Sequence, residues 1–214
     1  MKTILFQGDS ITDAWRDRRV SPLPDGIQTA MHYGAGYVNK TAGKLLLDHP
    51  DKNLNIINRG ISGNRIVDLY ARWKIDALNL NPDIISILIG VNDVWHEFSS
   101  GNGVEPDRFE QVYDMLLEWT KKVLPEVKLV IGQPFALRSH VVTDDFYDTV
   151  QIYAGIAEKM AEKYNAPFIR YQDIFNEAAK KRENTLYLVD GVHPSIAGAQ
   201  LMARALTPAI ESLL

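Results

Sequence analysis

A serine, a histidine and an aspartate stand in this chain where hydrolytic chemistry could be assembled. Ser10 closes the stretch Ile4-Leu5-Phe6-Gln7-Gly8-Asp9-Ser10, a short apolar run that ends in Gly-Asp-Ser. Ile4 to Phe6 read as a buried strand because nothing polar interrupts them. Gly8 and Asp9 are residues that turn a chain. Ser10 then falls just past the carboxyl end of the first strand, where open α/β sheets hold their ligands. A nucleophilic serine needs a base, a group to orient that base, and donors for the developing oxyanion.

The base and its orienter are offered by Asp190-Gly191-Val192-His193-Pro194. An aspartate and a histidine three residues apart can face the same way on one turn of chain. The carboxylate would then hold one imidazole nitrogen and leave the other free for a serine proton. Pro194 suits the first turn of a helix beginning near Ser195. Taken alone, a capped helix with a surface histidine explains these residues equally well. His32, His49 and His140 have no acid in such a turn. His96 precedes Glu97, but adjacent side chains tend to point apart, so His96 is either unremarkable or a substrate contact.

Two further stretches could supply donors. Ile89-Gly90-Val91-Asn92-Asp93 follows an apolar run, and the Asn92 amide can donate to an oxyanion. Asn58-Arg59-Gly60-Ile61-Ser62-Gly63-Asn64 lets backbone approach a ligand, so the Gly63 N–H is a second donor and the Ser10 N–H a third. Taken alone, each is better explained as an ordinary loop. Together, all but the final loop follow a strand, and that loop precedes the last helix.

The elements that must position these groups alternate along the chain. Strands are expected at 4–6, 54–58, 83–89, 127–131 and 166–170, and helices at 36–47, 66–78, 109–123, 146–164, after Tyr171, and from Ser195 to Leu214. Such alternation argues for parallel βαβ units with helices on both faces. Phe109, Val112, Tyr113, Leu116, Leu117 and Val123 form a core-facing stripe, as do Ile152, Ile156, Met160 and Tyr164. Loops are expected at 16–36, with Pro22, Pro24 and Gly26, at 95–105, and at 134–145. All follow strands and gather at the end of the sheet that carries Ser10.

Composition excludes several classes. The 214 residues carry a net charge of −4, so there is no basic footprint for nucleic acid. There is no cysteine, which excludes disulfides, thiolate metal sites and a cysteine nucleophile. The length suits one domain over 1–214. No signal-peptide core precedes the first strand, and no apolar run approaches the roughly 18 residues that a membrane span needs, so a soluble, cytoplasmic protein is expected. A phosphate-binding Gly-x-x-x-x-Gly-Lys-Ser/Thr stretch is absent, as is a Gly-x-Ser-x-Gly elbow around Ser10.

These four stretches, in this order, resemble those of the SGNH hydrolases, also called GDSL esterases, over essentially the whole chain. Gly8-Asp9-Ser10 matches the first block, Gly63 the second, Asn92 the third, and Asp190 with His193 the last. The resemblance implies a flavodoxin-like three-layer α/β sandwich with a five-stranded parallel sheet of order 2-1-3-4-5. It also implies a serine esterase with Ser10, His193 and Asp190 as triad, Ser10, Gly63 and Asn92 as oxyanion donors, and no cofactor or metal. Within the superfamily, Gly60-Ile61-Ser62-Gly63-Asn64, Ala71-Arg72-Trp73, Asn92-Asp93-Val94-Trp95 and Val192-His193-Pro194-Ser195 are similar to intracellular acetylxylan esterases. Those enzymes remove acetyl groups from xylo-oligosaccharides. The residue before the acid is tryptophan in such a relative and Val189 here, so an aromatic wall for a sugar is lacking or comes from elsewhere. Asp9, Asn64 and Trp95 are candidates for substrate contact, and Trp15, Tyr33, Trp95 and Phe135 for stacking on a sugar. The expected partner is a small-molecule or oligosaccharide ester, with homo-oligomerisation left open. A lysophospholipase- or thioesterase-type acyl hydrolase and a non-catalytic carbohydrate-binding module are the alternatives.

Overall fold

Ile4, Leu5 and Phe6 are wholly buried, as a strand covered on both faces must be. They lie in β1 (Lys2–Gly8), an interior strand of a parallel sheet completed by β2 (Leu54–Asn58), β3 (Ile84–Leu88), β4 (Lys128–Gly132) and β5 (Phe168–Ile169). The computed structural model describes residues 1–19 and 28–214; Pro22, Pro24 and Gly26 lie outside them. The strand order is 2-1-3-4-5 and every pairing is parallel, with Phe6 opposite both Asn58 and Ser86. The order reverses between β1 and β3, so the chain ends leaving those two strands flank the crevice in which such sheets bind ligands.

Among the described residues the helices are α1 (Ser10–Asp13), α2 (Ala30–Tyr33), α3 (Tyr37–Asp48), α4 (Ile66–Asp76), α5 (Val91–Ser100), α6 (Pro106–Val123), α7 (Asp144–Lys163), α8 (Tyr171–Ala179) and α9 (Ile196–Glu211). Helix α9 packs on α3 and α8, while α6 packs on α4 and α7 and α5 on α7. Right-handed crossovers put the first group on one face of the sheet and the second on the other, giving three layers. Trp73 of α4 is fully buried between layers, and its indole N–H donates to Thr120 Oγ1 of α6 at 2.8 Å. Truncating such a residue to alanine costs about 3–5 kcal/mol. No described helix is long and apolar enough to cross a membrane.

Several expectations need correction. Residues 95–100 are not loop: they continue α5, whose end comes at Gly101 in the left-handed conformation (φ 63°), where its N–H closes onto Glu97 and His96 carbonyls. Gly101 is the stop signal of that helix, and the expected loop is confined to the residues after it. The fifth strand spans only Phe168–Ile169, because it pairs only with the far end of β4. Val123 and Ile152 are about half exposed; Met160 is buried as expected, and α7 turns Val150, Tyr153 and Ala157 inward with it. Pro194 lies before α9 rather than in its first turn. Ser195 is the cap, its hydroxyl accepting from the Ala197 and Gly198 N–H groups at 3.1 Å.

Candidate active site

Gly8 ends β1 where a Cβ would stand 2.3 Å from the Leu88 carbonyl and 2.4 Å from Thr12 Oγ1. Only glycine lets the chain turn this close to β3. Asp9 then caps α1, accepting the Ile11 N–H at 2.9 Å, so Ser10 is held at the first turn of a helix.

The last loop brings His193 to it from 183 residues away. Ser10 Oγ lies 2.9 Å from His193 Nε2, and His193 Nδ1 lies 2.7 Å from Asp190 Oδ2. The other oxygen of Asp190 accepts the backbone N–H groups of Val192 (2.9 Å) and His193 (2.8 Å), so one carboxylate shapes the turn and aims the ring. Burial works against charge on Asp190, but the imidazole and these two N–H groups overcome it and hold the carboxyl well below the usual range. The Asp190 hydrogen bond in turn raises His193 above its ordinary value. Nδ1 bonded to a carboxylate leaves Nε2 as the lone-pair nitrogen of the neutral ring, facing the serine. Trp95 sets its ring edge-on to this imidazole at 6.3 Å and to Phe146 at 5.6 Å.

The loop after β4 braces the acid. Ser139 Oγ donates to the Asp190 carbonyl at 2.6 Å, and the Leu137 N–H donates to the Gly191 carbonyl at 2.8 Å. Neither residue carried a signal in the sequence, since a lone serine in a loop has no periodicity or motif to mark it.

The Gly63 and Asn92 segments also meet. The Asn92 side-chain amide donates to the Asn64 carbonyl at 3.2 Å, and His96 Nε2 donates to the Gly63 carbonyl at 3.0 Å. His96, on α5, thus pins the Gly63 turn. Arg72 binds these pieces from below. Its Nε donates to Asn64 Oδ1 at 2.6 Å, Nη1 to Gln7 Oε1 at 3.0 Å, and Nη2 to the Gly8 carbonyl at 3.2 Å. One guanidinium therefore joins the turn before Ser10 to the loop of Gly63 and Asn64, which holds Asn92. Asp13 adds a second tie, accepting from the Ser62 N–H (3.2 Å) and hydroxyl (2.8 Å) and from Arg18 (2.6 Å). Arg72 stood in a recognisable stretch of sequence, but its partners lie up to 65 residues off, beyond any local pattern.

Two carboxyls stand behind the serine. Asp9 and Asp93 are fully buried, and one oxygen of each has no hydrogen-bond partner. The other Asp93 oxygen accepts the Ile66 N–H at the start of α4, at 3.0 Å. Burial raises Asp9 to about 7 and Asp93 to about 8. Asp9 is sealed beneath the serine turn, and Asn64 is engaged by Arg72; neither lines the cavity beside Ser10. Among the described residues no group of three or more His, Asp or Glu side chains is placed to hold a metal ion.

That cavity, about 360 Å³, is lined by Ser10, Trp15, Ser62, His193, Pro194 and Ile196, among others. Of the aromatics considered for stacking, Tyr33 and Phe135 are buried core residues, with Phe135 packed on Tyr171 and Phe175. Residue 189 is an exposed valine. A serine hydroxyl on a lone-pair imidazole nitrogen, with an aspartate behind the ring, can form and break an acyl-enzyme.

The model of the GDSL-like lipase/acylhydrolase family matches residues 6–201. An acetylxylan esterase of Geobacillus stearothermophilus is 36% identical over 207 residues, spanning 94% of this chain and 90% of that protein. The crystal structure of Axe2, an acetylxylan esterase from Geobacillus stearothermophilus, superposes with a TM-score of 0.86, over 98% of this chain and 94% of its own, at 34% identity. The structure of a candidate GDSL-like lipase from Parabacteroides merdae ATCC 43184 gives 0.92 at 39% identity, over 100% and 96% of the two chains.

Proposed function

The chain belongs to the GDSL-like lipase/acylhydrolase family and is a carboxylic ester hydrolase, and from that premise we propose that it is a serine esterase removing small acyl groups, acetyl first, from carbohydrates such as xylo-oligosaccharides. The observation that carries the mechanism is the relay from Ser10 Oγ through His193 to Asp190, at 2.9 and 2.7 Å. Ser10 Oγ attacks the ester carbonyl while His193 Nε2 takes its proton. The Ser10 and Gly63 N–H groups and the Asn92 amide stabilise the oxyanion. Collapse of the tetrahedral intermediate breaks the bond to the sugar oxygen, which takes the proton from His193 and leaves as the free hydroxyl. Water then attacks the acyl-enzyme with His193 again as base, releasing the acid and restoring Ser10. Asp190 keeps the ring in the tautomer this needs and stabilises the imidazolium.

The acetyl and sugar assignment is supported by the acetylxylan esterase relative and by the volume of the cavity, near the small end for ligand sites. A panel of acetylated xylo-oligosaccharides against long-chain acyl esters, with Ser10→Ala as control, tests both parts. Turnover of the acetylated sugars, covalent labelling of the wild type by a fluorophosphonate, and loss of both in Ser10→Ala are expected. Preference for long chains would overturn the substrate, and undiminished turnover by Ser10→Ala would overturn the mechanism.

A further inference from the structure

We infer that Trp15 is the stacking platform on which the sugar ring of the substrate lies, and so a specificity-determining residue. This rests on the reading of the protein as a carbohydrate esterase and deepens it.

Trp15 is 87% exposed, the most water-facing of the large apolar side chains in the described residues, yet it lines the cavity that Ser10 and His193 share. Its position is enforced. Ala14 and Trp15 follow α1 in consecutive left-handed conformations, with φ 44° and 58°, and neither is glycine. A bulky residue adopts that conformation only where its surroundings dictate it. Here they do. The Ala14 N–H donates to the Ser10 carbonyl at 2.9 Å, the Ala14 carbonyl accepts from Ala35 at 2.8 Å, and the Arg16 N–H donates to the Asp13 carbonyl at 3.0 Å. The Arg16 guanidinium then grips the Gly60 carbonyl at 3.0 Å. The turn that follows the serine is thereby pinned on both sides, and the indole projects outward rather than into the core.

Such an arrangement keeps an aromatic face in water, which is unfavourable until something covers it. An acyl chain would require enclosure, and an 87% exposed indole encloses nothing. A pyranose ring requires less: one flat apolar face to lie on, with its hydroxyls left in water. Pro194 of the last loop and Ile196 at the start of α9, the latter 81% exposed, stand on the same cavity and supply a second apolar wall. The remaining aromatic candidates are already engaged. Tyr33 and Phe135 are in the core, and Trp95 packs against Phe146 and the imidazole of His193. With valine at position 189, Trp15 is the aromatic side chain that the described cavity wall presents.

The test compares kcat/KM on an acetylated xylo-oligosaccharide with kcat/KM on ethyl acetate, an ester with no ring. In Trp15→Ala the ratio of the two should fall about five- to tenfold, mainly through KM for the sugar. Trp15→Phe should keep most of the ratio. Trp15→Asn, which tolerates the left-handed backbone, should lose it as alanine does, so that a change caused by the turn is separated from one caused by the ring. An equal fall on both esters, or an unchanged ratio, would overturn the platform while leaving the carbohydrate esterase standing. Wild-type turnover of ethyl acetate with none of the acetylated sugar would overturn the carbohydrate reading, and the platform with it.

Discussion

Asp190 holds its charge far below the usual carboxylate range, whereas Asp93, at the same end of the sheet, keeps its proton to about 8 and Asp9 to about 7. Burial pushes all three in the same direction. The difference is the supply of donors. Asp190 receives the His193 ring and two backbone N–H groups and retains 29% of its side-chain surface. Asp93 receives the Ile66 N–H on one oxygen and has the other sealed without a partner. A carboxyl suited to steadying an imidazolium is thus made by hydrogen bonds, and a neutral structural carboxyl by their scarcity.

The same isosteric change at the two residues should separate them most widely. Asp190→Asn would lower kcat by about 10³–10⁴-fold with the fold intact, because the amide no longer enforces the tautomer. Asp93→Asn, which copies the protonated acid already present, should cost less than about tenfold. Comparable losses in steady-state assays would break the comparison. Because His193 must be neutral to act as base and its pKa is raised by Asp190, the wild-type rate should climb with pH through a value above about 6.5. In Asp190→Asn that midpoint should move down.

Asn92→Ala comes next, with a loss of about 10²–10³-fold in kcat from one oxyanion donor. Arg72→Lys should lower kcat about tenfold with less change in KM, since it loosens the loops rather than removing a donor. Combining it with Asn92→Ala tests the route. If Arg72 acts through Asn64 on Asn92, the double variant loses less than the product of the two single effects. Full additivity would assign Arg72 a separate role.

The smallest effect is on stability. Between about pH 4 and pH 8 the folded protein holds protons on Asp9 and Asp93 that the unfolded chain has released, so stability falls as pH rises through that window. His193 works in the same direction, its contribution being lost as pH rises through its raised pKa, while Asp190 loses its contribution only in acid. Thermal melts should therefore show Tm falling from pH 5 to pH 9. Asp93→Asn should flatten that slope and melt roughly 3–5 °C higher than the wild type at pH 9. A slope unaltered by the substitution would mean that Asp93 ionises readily in the folded protein.

Much of the architecture was already legible in local patterns. The apolar run at Ile4–Phe6, the Gly-Asp-Ser turn and the Asp-Gly-Val-His spacing depend on neighbours along the chain, and their backbone follows from those neighbours. The tail of α5 departs from the expected loop at 95–105 because Gly101 marks where the helix stops, not where a loop has already begun. The fifth strand is shorter than the expected 166–170 because its length is set by pairing with β4, not by its own residues.

What the sequence by itself determined was which groups exist and which turns carry them: Ser10 at a strand end, Asp190 and His193 on one turn, Gly63 after the second strand and Asn92 after the third. Tertiary structure alone decided their states. It separated Tyr33 and Phe135, which are core, from Trp15, which is exposed, and it brought Arg72 under three distant segments. It also held one aspartate well below the usual carboxylate range and pushed two others well above it. Backbone conformation is set mainly by adjacent residues, but solvation and hydrogen-bond supply come from whatever the fold places alongside, and those groups lie tens to hundreds of residues away.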